Sequence, residues 1–284
     1  MPDWIVETQC GPVQGVEKGG CLFFGGIPFA ASTAGAARFK PPQPVQPWDD
    51  VRPAVYPGPV INQNPTRFEP FLGPDPQPQS EDGLSVNVWT PATDGAKRPG
   101  CDWIHGGAYI SGSGSFPLYE GASFAETGDI VFVGLNYRLG ERGYLQLDHL
   151  DKNYAGSGNN ALRDQIAALE WVRDNITAFG GDPDQVTLGG QSAGGGAITG
   201  LMMMPEAKGL FHRAIIQSIS MMSFRDSALA EYTTETFMTA AGALDIAALE
   251  AAPIEKLLAA QRTTLRTRPP TGKALFQPVI DGTV

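Results

Sequence analysis

A chain of 284 residues, 42% of them hydrophobic and 18% charged, can bury a sizeable core and is not a disordered polymer. Its formal charge of −10 argues against nucleic acid, which demands basic patches, and against anionic membrane surfaces. The three cysteines, Cys10, Cys21 and Cys101, lack C-x-x-C spacing, so no metal, redox centre or cofactor is expected and a reducing, cytoplasmic setting is the simpler reading. The opening "MPDWIVETQC" carries no basic stretch followed by an apolar run, and no stretch approaches the ~20 apolar residues of a membrane helix.

In chain order, residues 1–25 read as short strands, "WIVETQ", "PVQGVE" and "CLFFG", punctuated by Gly and Pro. Residues 26–80 are loop-like and rich in proline. A loop that long is functional or wraps a core, and Phe29, Trp48, Tyr56, Phe68 and Phe71 within it favour packing. "LSVNVWT" (84–90) predicts a strand, "DWIH" (102–105) another, and the continuous apolar run "IVFVGLN" (130–136) suits a strand buried on both faces. Residues 159–179 give the clearest helix, with Leu162, Ile166, Leu169, Val172, Ile176 and Phe179 spaced by three and four. Asn159 can cap its start, and Gly180-Gly181-Asp182-Pro183 stops it. "QVTLGG" and "RAIIQS" (213–218) follow as strands, then two helices near 227–242 and 246–262. Strands alternating with helices predict one α/β domain over 1–284 with a mainly parallel sheet whose core lies in 84–220.

"QVTLGGQSAGGG" contains Gly190-Gln191-Ser192-Ala193-Gly194, a G-x-S-x-G. In a chain with 35 glycines this pattern alone is equally well an ordinary turn. An apolar strand leads in, however, and small residues lead out as a helix start, which is the strand–turn–helix context of a nucleophile elbow. The Ala193 amide then heads a helix, where it can donate to an oxyanion. "WIHGGAYISGSGS" (103–115) is a strand running into glycines, and a loop of this kind supplies the other oxyanion amides in acyl-transfer enzymes. It could also be a phosphate cradle, but no P-loop lysine follows and the G-x-G-x-x-G spacing fails at Pro117.

Together with "FGGIPFA", "ARFKPP", "SEDGLSVNVWTP", "LNYRLG", "DQIAALEWVRDNITAFGGDPDQVTLGGQSAGG" and "AKGLFHRAIIQS", these stretches resemble the type-B carboxylesterases, the family of cholinesterases and para-nitrobenzyl esterases. The resemblance implies an α/β-hydrolase fold and hydrolysis of a small-molecule carboxylic ester through an acyl-serine. It implies Ser192 as nucleophile and the amides of Gly107, Ala108 and Ala193 as oxyanion hole, with Gly106 giving the loop its freedom. It also implies ion pairs Arg38–Glu81 and Arg138–Asp164, and a buried Ser218 near the triad acid. Three positions depart from the family: Gln191 stands where a glutamate is usual, Asp102 interrupts an apolar strand, and Gly83 replaces a disulfide cysteine.

A triad in this fold runs Ser, then Asp or Glu, then His along the chain. After Ser192 only His212 remains, and by family position it is structural; His105 belongs to the oxyanion strand and His149 to a surface loop. The ending "FQPVIDGTV" resembles the middle of a family member, so the fold reads as truncated before its acid and histidine, with a further C-terminal segment or a second chain completing the triad. The competing readings are a non-catalytic interaction module on the same fold and a complete but degenerate, catalytically incomplete short protein.

Overall fold

The computed structural model describes residues 4–66, 75–219, 224–267, 269 and 274–282. The N-terminal strands are β1 (Ile5–Thr8), β2 (Gly11–Gln14), β3 (Val16–Lys18) and β4 (Cys21–Pro28). The proline-rich stretch adds only the two-residue strands β5 (Arg52–Pro53), β6 (Val60–Ile61) and β7 (Gln79–Ser80). Proline lacks an N–H and cannot donate to a ladder, so most of this segment wraps instead of pairing. Its aromatics divide. Phe29 is buried and Trp48 packs on the core, its indole N–H donating to the Pro12 carbonyl at 2.9 Å. Tyr56 turns out to solvent, 78% exposed, against the packing expected of it; its backbone carbonyl, not its ring, lies against Gly25 and Gly26. Phe68 and Phe71 lie outside the described residues.

The main sheet has seven strands in the order β12-β11-β9-β10-β8-β4-β3, where β8 is Ser85–Thr90, β9 Arg98–Ile104, β10 Val131–Leu135, β11 Gly181–Gln191 and β12 Arg213–Gln217. The pairs β9–β10, β9–β11 and β11–β12 are parallel. The pairs β10–β8, β8–β4 and β4–β3 are antiparallel. The sheet is therefore half parallel, not mainly so: parallel neighbours need a crossover connection, β3 runs straight into β4 through a tight turn at Gly19-Gly20, and β8 lies antiparallel between β4 and β10. The fold class stands, because the parallel half is the half that carries the serine.

One face of the sheet packs Val86, Val88, Ile104, Val131, Val133 and Leu188 against helices α3 (Asn160–Asn175) and α4 (Ala193–Leu201). The predicted stripe Leu162, Ile166, Leu169, Val172, Ile176 and Phe179 is buried throughout. Asn159 does not cap α3; its side-chain amide both donates to and accepts from the backbone of Val279, each at 2.9 Å, so its capping capacity is spent holding the C-terminal segment. Gly180 ends the helical run in the left-handed region, at φ 81°. The opposite face is covered over β4, β8 and β10 by α1 (Ala122–Gly128), around Phe23, Trp89, Ala125 and Phe132. Over β9, β11 and β12 it is open among the described residues: Cys101 and Trp103 are half-buried and Ile215 is 47% exposed.

The helix expected over 246–262 divides into α6 (Ile246–Glu250) and α7 (Ile254–Leu265), after α2 (Gly140–Tyr144) and α5 (Ser227–Ala241) earlier in the chain. Pro253 lies between them and cannot donate an intrahelical bond. The orphaned carbonyls of α6 are met by Arg38, whose Nη1 donates to Glu250 and Ala252 at 2.7 and 2.5 Å. The same guanidinium grips Glu81 through Nε and Nη2, both at 2.6 Å. Arg138 and Asp164 form a second bidentate pair, 1% and 0% exposed, with the Arg138 amide and the Lys40 carbonyl completing their bonding. Both expected ion pairs are formed. Removing one member of a buried pair leaves an uncompensated charge. We expect Asp164→Ala to cost about 3–5 kcal/mol by urea unfolding; a loss below about 1 kcal/mol is the range of exposed pairs and contradicts this role.

Candidate active site

Strand β11 delivers Ser192 onto a turn at φ 57°, ψ −119°, directly ahead of α4. A non-glycine residue at positive φ is strained and persists only where its surroundings hold it. Here the Ser192 amide donates to the Gln217 carbonyl at 2.8 Å, and its carbonyl accepts from Gly196 at 2.9 Å. Gly194 is required because the backbone of Ile104, the end of β9, passes where its Cβ would stand. Ser192 is partly exposed, and Ala193 begins the helix.

The glycine loop after β9 meets this turn. A Cβ on Gly106 would stand 3.2 Å from Ser192 Cβ and 2.7 Å from the Gln191 carbonyl. Gly107 has φ 125°, open to glycine alone, and is followed by Ala108 and Tyr109 at φ 55° and 65°. That three-residue run of positive φ turns successive amides out of the usual ladder. Among the described residues, the amides of Gly107, Ala108 and Ala193 have no hydrogen-bond acceptor. All five residues singled out in the two motifs thus lie in one place.

The loop rests on residues that no local pattern reveals. Gln63, in the proline-rich segment, accepts from the Gly112 amide at 2.7 Å and donates to its carbonyl at 3.0 Å. Tyr137 donates to the His105 carbonyl at 2.7 Å, and the Gly140 amide donates to the Tyr109 carbonyl at 2.8 Å. Next to that anchor, Glu141 and Arg142 are both buried, 3.6 Å apart, and Gln261 of α7 donates to Glu141 at 2.8 Å. The only advance signal was the loop's length; a glutamine there has no periodicity to betray it.

The three histidines are accounted for. His105 is buried and stacked on Tyr137 at 4.4 Å, with Nδ1 2.7 Å from the Gly106 carbonyl; burial pushes its pKa down to about 4, so it is a neutral prop. His149 is exposed in its loop. His212 is exposed at the start of β12, its amide donating to the Val186 carbonyl at 2.9 Å. It is therefore level with Val186, midway along β11 and about 20 Å of strand from Ser192. Ser218 is exposed, contrary to the buried position expected, because β12 is the outermost strand there and no described element covers it.

Against this geometry the comparisons with known proteins are decisive. A family model described as the carboxylesterase family matches residues 2–284. The chain belongs to the carboxylesterase family. It is 41% identical to the para-nitrobenzyl esterase of Bacillus subtilis (strain 168), covering 99% of this chain and 57% of that protein. It is 39% identical to the phenmedipham hydrolase of Pseudarthrobacter oxydans, with 98% and 56% covered. Among solved structures, a thermophilic para-nitrobenzyl esterase superposes with a TM-score of 0.91 at 41% identity, covering 99% of this chain and 58% of that one. The carboxylesterase EST55 of Geobacillus stearothermophilus at pH 6.2 gives 0.89 at 42%, covering 99% and 56%. The chain thus spans little more than half the length of these family members.

Asp102 bears out the concern its position raised. It is 0% exposed on β9, between Val133 and Leu188, with neither carboxylate oxygen bonded. Burial raises its pKa to about 8. A carboxyl whose folded pKa exceeds its unfolded one favours folding only while protonated, so stability is full below the ordinary pKa near 4 and is lost as pH rises through about 8. Replacing the buried carboxyl by a hydrocarbon of similar size removes that loss. We expect Asp102→Val to raise stability at pH 7 by a few kcal/mol and to flatten its decline between pH 5 and pH 9, read from urea midpoints. An unchanged pH profile contradicts the assignment.

Proposed function

We propose that Ser192 is the nucleophile of a carboxylic-ester hydrolase acting on small-molecule esters, with the amides of Gly107, Ala108 and Ala193 as its oxyanion hole. The observation that carries this reading is the juxtaposition of Gly106 with Ser192: it brings unengaged backbone donors beside a strained serine at a helix N-terminus. In the reaction, Ser192 Oγ bonds to the ester carbonyl carbon while its proton passes to a base. The amides stabilise the charge on the carbonyl oxygen, the alcohol leaves with the proton, and water then hydrolyses the acyl-serine. The partial helix dipole at Ala193 adds to the donors' effect. The esterases and the phenmedipham hydrolase among its relatives fit a site built to polarise a carbonyl. The retained serine and donors favour this enzyme over a non-catalytic module.

None of the three histidines is placed to serve Ser192, so the base and its acid come from a further polypeptide segment or a second chain. The open sheet face is where we seat it. Beside the serine turn lies a cleft of about 300 Å³ lined by Trp103, Leu118, Tyr119, Phe124, Gln191 and Gln217, and a segment filling it would stand next to Ser192. Gln191 makes that neighbourhood neutral where the family usually carries a glutamate, and so stabilises an imidazolium less. The free thiols Cys10, Cys21 and Cys101 fit a cytoplasmic setting, and no helix of the described residues is long and apolar enough to cross a membrane.

The isolated chain should hydrolyse p-nitrophenyl acetate at least about a thousandfold more slowly than a good esterase, because the oxyanion donors alone remain. A fluorophosphonate should label it slowly, at Ser192 alone, and Ser192→Ala should abolish labelling. Persistent labelling of that variant refutes the nucleophile. Fast hydrolysis lost on His212→Ala refutes the placement of the base.

A further inference from the structure

A peptide unit is planar and trans, so its C=O and N–H point in opposite directions. The Gly106 carbonyl and the Gly107 amide belong to one such unit, and whatever fixes the carbonyl aims the amide. Two groups stand on that carbonyl. His105 Nδ1 lies 2.7 Å from it and carries the proton between them, because a carbonyl only accepts. Gly112 is the other. A Cβ there would overlap both the Gly106 oxygen and His105 Nδ1, so its bare backbone, at φ 104°, fills the space behind the peptide.

Gly112 is itself held by one side chain. Gln63 accepts from its amide at 2.7 Å and donates to its carbonyl at 3.0 Å. Among the described residues no backbone group bonds Gly112 in its place. We propose that Gln63 is a positioning residue: through Gly112 it keeps the Gly106–Gly107 peptide turned with its N–H toward Ser192. The inference rests on the reading of Ser192 and its donors given above.

A side chain can position a loop only from a fixed place, and the neighbours of Gln63 supply one. Arg142 donates to the Asn62 carbonyl and, at 3.2 Å, to the Asn62 side chain. Asn64 donates to the Leu258 carbonyl at 3.0 Å and to Gln261 at 2.7 Å, and accepts from Arg262. Three consecutive amide side chains thus strap α2, the glycine loop and α7 together. The loop has other anchors: Ser113 bonds Asp75, Tyr137 bonds the His105 carbonyl, and the Gly140 amide bonds the Tyr109 carbonyl. Loss of the Gln63 bonds therefore slackens one peptide without releasing the whole loop.

Gln63→Leu keeps the bulk of the side chain and removes both bonds. Labelling of Ser192 by a fluorophosphonate should slow about tenfold or more, because a misplaced donor is felt in the transition state. A chain carrying ¹⁵N,¹³C′-glycine shows by HNCO only the amides of glycines that follow a glycine. The Gly107 line, identified by its loss in Gly107→Ala, should move in Gln63→Leu while those of Gly20, Gly26 and Gly181 stay. Gln63→Glu separates positioning from packing. Its carboxylate accepts from Gly112 but cannot donate, whereas its carboxylic acid does both. At pH 8 this variant should label slowly with a displaced Gly107 line. Both should return toward the parent chain, compared at the same pH, as the carboxyl is protonated at about pH 4–5. An unmoved Gly107 line in Gln63→Leu, unslowed labelling, or no recovery of Gln63→Glu at low pH overturns the proposal. Labelling that survives Ser192→Ala is a different result: it refutes the nucleophile, and the Gly107 line alone then decides the role of Gln63. If Gln63→Leu fails to fold, the titration of Gln63→Glu, whose acid form keeps both bonds, decides.

Discussion

The close approach of two backbones, at the end of β9 and at the turn after β11, is the constraint around which the site is arranged. Gly106 and Ser192 can be neighbours only because the positions between the strands carry no side chain: Gly190 stands against Gly194, and Gly194 against Ile104. The parallel pairing of β9 with β11, with Trp103 level with Gly189 and Ile104 with Gly190, sets both strands to end at the same height. In an α/β sheet that end is where ligands bind. A helix start and a glycine loop, each weak as a pattern, become donors around one serine because the sheet register delivers them together.

The rest of the molecule holds that register by unusually buried cations. Arg38 joins Glu81 to the end of α6, and Arg138 joins Asp164 to the Lys40 carbonyl. Arg225, 0% exposed, forms no salt bridge among the described residues; it donates to the carbonyls of Gln277, Leu275 and Tyr144, and burial lowers its pKa to about 9. The planar guanidinium suits this work because its five donors can each meet a separate oxygen. These contacts join segments far apart in the chain, so they order the long proline-rich wrap and the C-terminal segment, which contribute little regular secondary structure.

Much of this was legible from the residues. The helix 159–179 was readable because its apolar stripe has one period over five turns, and β10 because five consecutive buried positions leave no other reading. The two glycine motifs were readable because strand, turn and helix signals are all local. What failed is non-local. Asn159 has the identity of a cap, yet its partner is Val279. Tyr56 has the identity of a core residue, yet its backbone is what packs. Pro253 broke a helix that periodicity alone would have run through. Gln63 and the pair Glu141–Arg142 carry no pattern, and only the folded chain reveals that they prop the glycine loop.

The two halves of the sheet differ in one further respect that ties the fold to the chemistry. On the side of β4, β8 and β10 both faces are covered; on the side of β9, β11 and β12 one face is open, and β12 presents an unpaired edge among the described residues. An open edge and an open apolar face both favour association. The uncovered half is also the half that lacks a base. A single packing event on that face would therefore bury Trp103 and Ile215, protect the β12 edge and bring a histidine beside Ser192. On the proposed function, folding and catalysis would be coupled through the same surface: the serine turn has its unengaged amides in place, and the base would arrive with whatever covers the sheet beside it.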